Sequence, residues 1–178
     1  LVNIGLLGYK NVGKTSLFTL FKETKGVKVL TGQFGSSREG HTVTMDFIRF
    51  TNEGKMHSLF GTGGHEWRLT VYHRNYVLKN ADNFVCMFDL SVPSEPQLEF
   101  FKKLEILANP KGKLVIALNK YDLVKEESVF ETFKQTIEES RFISTIKTVK
   151  ILPTVAVPKN GYEKFNENAV KAVLLLCD

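Results

Sequence analysis

Gly8-Tyr9-Lys10-Asn11-Val12-Gly13-Lys14-Thr15 reads G-x-x-x-x-G-K-T, between an apolar run at residues 2–7 and a helical pattern at residues 14–21. Strand, glycine-bounded loop and helix in that order form a phosphate cradle. The glycines let the loop wrap closely, so successive backbone N–H groups point into one concavity. The N-terminus of the following helix adds its partial positive charge at the same place. Gly8, Lys10, Asn11, Val12, Gly13, Lys14, Thr15 and Ser16 are the candidate phosphate-binding set. Lys14 is placed to reach β- and γ-phosphates, and the Thr15 hydroxyl to ligate Mg²⁺. Asn11 tolerates a left-handed backbone. Lys10 brings a charge that either approaches the phosphates or turns out to solvent.

Outward from this loop, strands and helices alternate. Apolar β-like runs occupy residues 2–7, 43–50, 55–60, 83–90, 113–119 and 148–156. Helical patterns occupy residues 14–21, about 66–79, 95–108, 125–140 and 162–176. Most of the strands are nearly continuous in apolar residues, as strands covered on both faces are. The run at 43–50 differs: Val43, Met45 and Phe47 alternate with Thr44, Asp46 and Arg49, which reads as an edge strand. Thr51-Asn52-Glu53-Gly54 follows it as a hairpin turn. The expected fold is a doubly wound α/β sandwich. Its sheet should be mostly parallel and six-stranded with one antiparallel edge strand, and residues 1–178 should form a single domain. Residues 22–41 are the longest stretch without a periodic pattern. They are rich in glycine, as functional loops in compact domains are.

Composition narrows the classes. A hydrophobic fraction of 43% and a charged fraction of 24% suit a soluble globular domain of 178 residues. The net charge of +5 comes from scattered lysines, so no nucleic-acid partner is expected. No apolar run is long enough to cross a bilayer, and membrane association is left open. The two cysteines give no disulfide scaffold and no metal cluster. A reducing, cytoplasmic setting is the expectation.

Asn119-Lys120-Tyr121-Asp122 ends the run Leu114-Val115-Ile116-Ala117-Leu118. A carboxylate at Asp122 can accept from both N1–H and N2–H₂ of guanine. Adenine lacks that pair of donors and would leave the carboxylate unpartnered, so the site would reject it. Lys120 can lie along a purine with its aliphatic stem. Asn119 can tie neighbouring loops together through its carboxamide. The expected ligand is therefore a guanine nucleotide, GTP or GDP, rather than ATP.

With both motifs at strand ends of an alternating chain, residues 2 to about 176 resemble the Ras-like small GTPase superfamily. The likeness is nearest to its prokaryotic members that lack an aspartate in the third motif. The resemblance implies hydrolysis of GTP to GDP and phosphate with Mg²⁺, and a nucleotide-dependent switch. It implies that Thr42, before the second strand, ligates Mg²⁺ and senses the γ-phosphate, with Thr44 as a competitor for the role. It implies that Gly64 contacts the γ-phosphate through its amide and that His65 orients the attacking water. Lys14 and Thr42 would join His65 as catalytic residues, and Thr15 and Thr42 would be the metal ligands. The family's third motif begins with an aspartate that supports Mg²⁺ through a water; this chain has Gly61 there. Asp89 is either a substitute for it or a structural residue at a strand end. The Ala156 N–H would contact guanine O6. A protein effector or activating partner would bind through residues 32–44 and 61–79, with Trp67 as an anchor or a core residue. Turnover without a partner should be slow. The alternative is a GTP- or GDP-binding scaffold with little or no hydrolysis.

Overall fold

A computed structural model describes residues 1–33, 37–38, 41–42, 45–63, 68–104, 112–124, 126–140 and 147–178, with the backbone alone at 37, 38, 41, 42, 68 and 69. The apolar run before the loop is a strand, β1 (Val2–Gly8), and two parallel strands flank it, β6 (Lys55–Gly61) and β7 (Asn83–Asp89). Beyond β7 the sheet continues in parallel through β8 (Lys113–Asn119) and β9 (Lys147–Pro153). On the other side β5 (Asp46–Asn52) pairs antiparallel with β6, and β2 (Lys28–Gln33) antiparallel with β5. The strand order is β2-β5-β6-β1-β7-β8-β9. A separate ladder joins β3 (Ser37–Arg38) to β4 (His41–Thr42).

Period-two alternation distributes the core. On one face Ile4 and Leu6 of β1 pack with Leu17, Phe18 and Phe21 of α1 (Lys14–Glu23) and with Ala169 and Val173 of α5 (Glu163–Leu174). On the other face Leu7, Cys86 and Phe88 meet three helices. These are α2 (Arg68–Asn80), α3 (Glu95–Lys103) and α4 (Glu127–Glu138), which contribute Val77, Phe101 and Phe133. Phe88 sits between the rings of Phe101 and Phe133, at 4.7 and 5.9 Å. Burying a side chain of this size stabilises the fold by about 1.5–3 kcal/mol. All seven residues of β7 are buried, which explains its unbroken apolar run.

Three expectations are corrected. Among the described residues the main sheet has seven strands, not six. The extra one, β2, lies within the stretch that showed no periodicity. A register shift between Val29 and Thr31 breaks its alternation, and five of its six residues are exposed. Because β2 covers β5, β5 is an interior strand and β2 is the edge. The phase of β5 is also opposite to the one expected at Asp46, which is buried with Ile48 and Phe50, while Phe47 is only half-buried; Arg49 is exposed as expected. The hairpin turn is present, with Glu53 and Gly54 at φ 48° and 75° and Asn52 paired with Lys55.

Candidate functional site

β1 runs into the glycine-bounded loop, and the loop closes directly onto α1. Gly13 precedes the helix with φ 100°, and a Cβ there would stand 2.4 Å from Asn119 Nδ2. Only glycine meets both demands. Asn11 takes φ 60°, a conformation its short polar side chain tolerates. Lys14 is buried, and its Nζ donates to the carbonyls of Gly8 at 2.7 Å and Tyr9 at 2.8 Å. An ammonium has three protons to donate, so one stays available to an anion. Burial pulls the Lys14 pKa down from 10.5 to about 7; Asp46 opposes the shift and Arg74 adds to it. A charge so placed is best stabilised by an incoming anion. Lys10 is exposed, with its Nζ 5.6 Å from the Tyr9 ring centroid.

Thr15, one residue on, donates from Oγ1 to Asp46 Oδ2 at 3.3 Å. Asp46 begins β5, and its register partner on β6 is Gly61. The donor set at this point is a hydroxyl and a carboxylate, both hard oxygen groups of the kind that suits Mg²⁺.

The second motif ends β8. The Asn119 carboxamide donates from Nδ2 to the Val12 carbonyl at 2.7 Å, which fixes the phosphate loop. Its Oδ1 accepts from the Ala156 N–H at 2.9 Å and the Thr154 hydroxyl at 3.3 Å. One side chain thus locks three loops together. Lys120 adopts φ 63° and its Nζ pairs with the Asp89 carboxylate, whose other oxygen accepts from Ser91. Asp122 is mostly buried and its Oδ2 accepts from Lys159 Nζ at 2.7 Å, an ion pair that raises the Lys159 pKa. Asn166 of α5 braces the loop by donating to the carbonyls of Val155 and Val157. Between the two motifs lies a cleft of about 240 Å³, lined by Asn11, Gly13, Ser16, Lys120, Asp122 and Ala156 among others.

Residues 3–120 match the family described as 50S ribosome-binding GTPase. The chain belongs to this GTPase family. Among curated proteins none matches it. The matched span runs from β1 to Lys120 and so contains the phosphate loop and the start of the second motif. As a GTPase domain, the protein binds guanine nucleotide.

The GTPase brings the phosphate loop, Asn119, Lys120, Asp122 and Ala156 to one cleft. The Ala156 N–H, expected at guanine O6, is engaged by Asn119 here. Thr42 is placed through its backbone alone, paired with Ser37. Gly64, His65, Thr44 and Trp67 lie outside the described residues. Asp89 holds Lys120 and Ser91, which is the structural alternative of its two readings. Four residues of the GTPase site escaped the sequence reading: Asp46, Arg74, Lys159 and Asn166. Asp46 alone left a signal, a charge in the same two-residue phase as Ile48 and Phe50. Arg74 is buried on α2 with its guanidinium 5.1 Å from the Phe100 ring centroid.

Proposed function

We propose that this GTPase is a Mg²⁺-dependent switch that hydrolyses GTP to GDP and phosphate. The observation that supports it most is the Asp122 carboxylate lining the cleft that opens beside Gly13 and Ser16. Guanine N1–H and N2–H₂ would donate to that carboxylate, with Lys120 along the ring. The loop amides from Lys10 to Ser16 and the free proton of Lys14 would hold the phosphates. Thr15 and Thr42 would hold Mg²⁺, which when bound would neutralise phosphate charge. His65 would accept a hydrogen bond from the attacking water as neutral imidazole. Gly64 would hold the γ-phosphate through its amide, so hydrolysis would release the segments around Thr42 and Gly64 together. Tyr72 and Tyr76, exposed one turn apart on α2, support a protein partner reading this surface, within residues 61–79. Aromatic anchors of this kind dominate interface energetics.

The specificity part is tested by Asp122→Asn. A carboxamide in place of the carboxylate presents a donor where guanine N2–H₂ needs an acceptor. GTP affinity should fall roughly tenfold to a hundredfold, the range for losing a hydrogen bond to a charged group. Affinity for xanthosine triphosphate, which carries an oxygen at C2, should rise. Unchanged GTP binding would remove Asp122 from the base site. A second reading is favoured by Gly61: a GTP- or GDP-binding scaffold that does not turn over. Phosphate release under single-turnover conditions with saturating Mg²⁺ separates the two. Slow release that His65→Ala abolishes, at unchanged GTP affinity, supports the switch; no release supports the scaffold.

A further inference from the structure

Asp46 is 1% exposed at the start of β5. A carboxylate buried next to a phosphate loop is an electrostatic problem. Phosphate oxygens and a carboxylate repel, and a poorly solvated site strengthens the repulsion. Lys14 offsets part of it, since Asp46 acts to raise the Lys14 pKa. A nucleotide triphosphate brings more negative charge than Lys14 and the buried Arg74 beside it balance. A divalent cation between the two anions turns the repulsion into attraction.

The local geometry suits a cation beside Asp46. The Thr15 hydroxyl donates its proton toward Asp46, and a hydroxyl beside a carboxylate is the hard oxygen pairing that suits Mg²⁺. The bond is 3.3 Å, long for O–H···O, so it competes weakly with ligation. Gly61 stands opposite Asp46 in the ladder. A Cβ on Gly61 would lie 2.6 Å from Cε2 of Phe18 and 3.8 Å from the Asp46 Cβ. The Phe18 ring therefore fills the room that a side chain at 61 would need, and the carboxylate arrives from the adjacent strand. Asp89 is committed to Lys120 and Ser91.

We propose that Asp46 is the carboxylate that holds the hydration shell of Mg²⁺ at the nucleotide, supplying from β5 what Gly61 on β6 cannot. Mg²⁺ keeps several waters and is bound through one or two carboxylates plus substrate phosphates. Thr15 ligates directly, and Asp46 orients both Thr15 and the water. The role is one of positioning, outside the reacting atoms.

This rests on the GTP-binding reading above, and the test separates the two. Release of fluorescent GDP is followed across a Mg²⁺ titration for wild type, Asp46→Asn and, as a control, Glu99→Gln on the exposed face of α3. Wild type and the control should release GDP more slowly as Mg²⁺ rises, with one midpoint. In Asp46→Asn the midpoint should move up about tenfold or more, the usual effect of losing an outer-shell partner. The release rate in excess chelator should be no faster than in wild type, because phosphate and base contacts are intact and the repulsion between the carboxylate and the phosphates is gone. Asp46→Ser, smaller and also neutral, gives the same readout if the asparagine variant does not fold. A midpoint equal to that of wild type in a folded variant overturns the role of Asp46 and leaves GTP binding standing. A wild type that holds no guanine nucleotide at any Mg²⁺ concentration overturns the GTP-binding reading itself.

Discussion

Asn119 shows how much a single residue can fix. Its two polar atoms reach the Val12 carbonyl, the Ala156 N–H and the Thr154 hydroxyl, so the phosphate loop and both base loops share one anchor. The motif made Asn119 legible, because an asparagine at a strand end beside a lysine has few other uses. Lys159 carried no such signal. It lies 37 residues from the carboxylate it pairs with, in a loop whose spacing follows no rule. Its contact with Asp122 nevertheless sets which way that carboxylate faces. Lys159→Met keeps the stem and removes the charge. GDP and GTP release should both quicken by roughly twofold to fivefold, the weight of an exposed ion pair. The factor should be the same for both nucleotides, because the base is common to them. Stopped-flow release of the two labelled nucleotides measures it, and a change confined to GTP would place Lys159 at the phosphates instead.

Elements were legible where both faces are covered, and β5 and β2 show why others were not. Central strands such as β7 and β8 announce themselves by unbroken apolar runs. In β5 the alternation is visible but its phase is deceptive: Met45, just before the strand, and Phe47 mark the less buried face, and a charge marks the buried one. A functional carboxylate inside a strand inverts the pattern that usually reveals the strand. β2 is short, exposed and bulged, so its sequence resembles a loop. The packing of β6 against α1 gives a prediction of the same kind. Restoring the family's aspartate by Gly61→Asp drives a Cβ to within 2.6 Å of the Phe18 ring. Overpacking of this sort costs about 1–3 kcal/mol, and a second buried carboxylate beside Asp46 adds repulsion. Urea denaturation should give a lower midpoint than wild type, and Mg²⁺ affinity should not improve. A variant as stable as wild type would mean that Phe18 has room to move.

Across the whole molecule the phosphate loop and the base loops are carried by elements that share one sheet and one core, and they meet at the cleft. The phosphate loop belongs to β1 and α1, and the base loops to β8, β9 and α5. A nucleotide touching both closes a bridge that the folded chain makes alone through Asn119. Such a ligand stabilises the native state by RT ln(1 + [L]/Kd), about 2.7 kcal/mol at a hundred times Kd. For a domain of this length each kcal/mol moves the melting temperature by about 2–4 °C. Saturating GDP with Mg²⁺ should therefore raise Tm by roughly 5–10 °C, and ADP at the same concentration should leave it nearly unchanged. Chelating the metal should remove part of the GDP shift. It should not lower Tm of the nucleotide-free protein, because the metal's site is completed by phosphate oxygens. Differential scanning calorimetry across these conditions decides this. A chelator effect without nucleotide would show a metal site that stands on protein groups alone. Equal shifts with ADP and GDP would mean that the phosphate half of the cleft binds while Asp122 does not read the base.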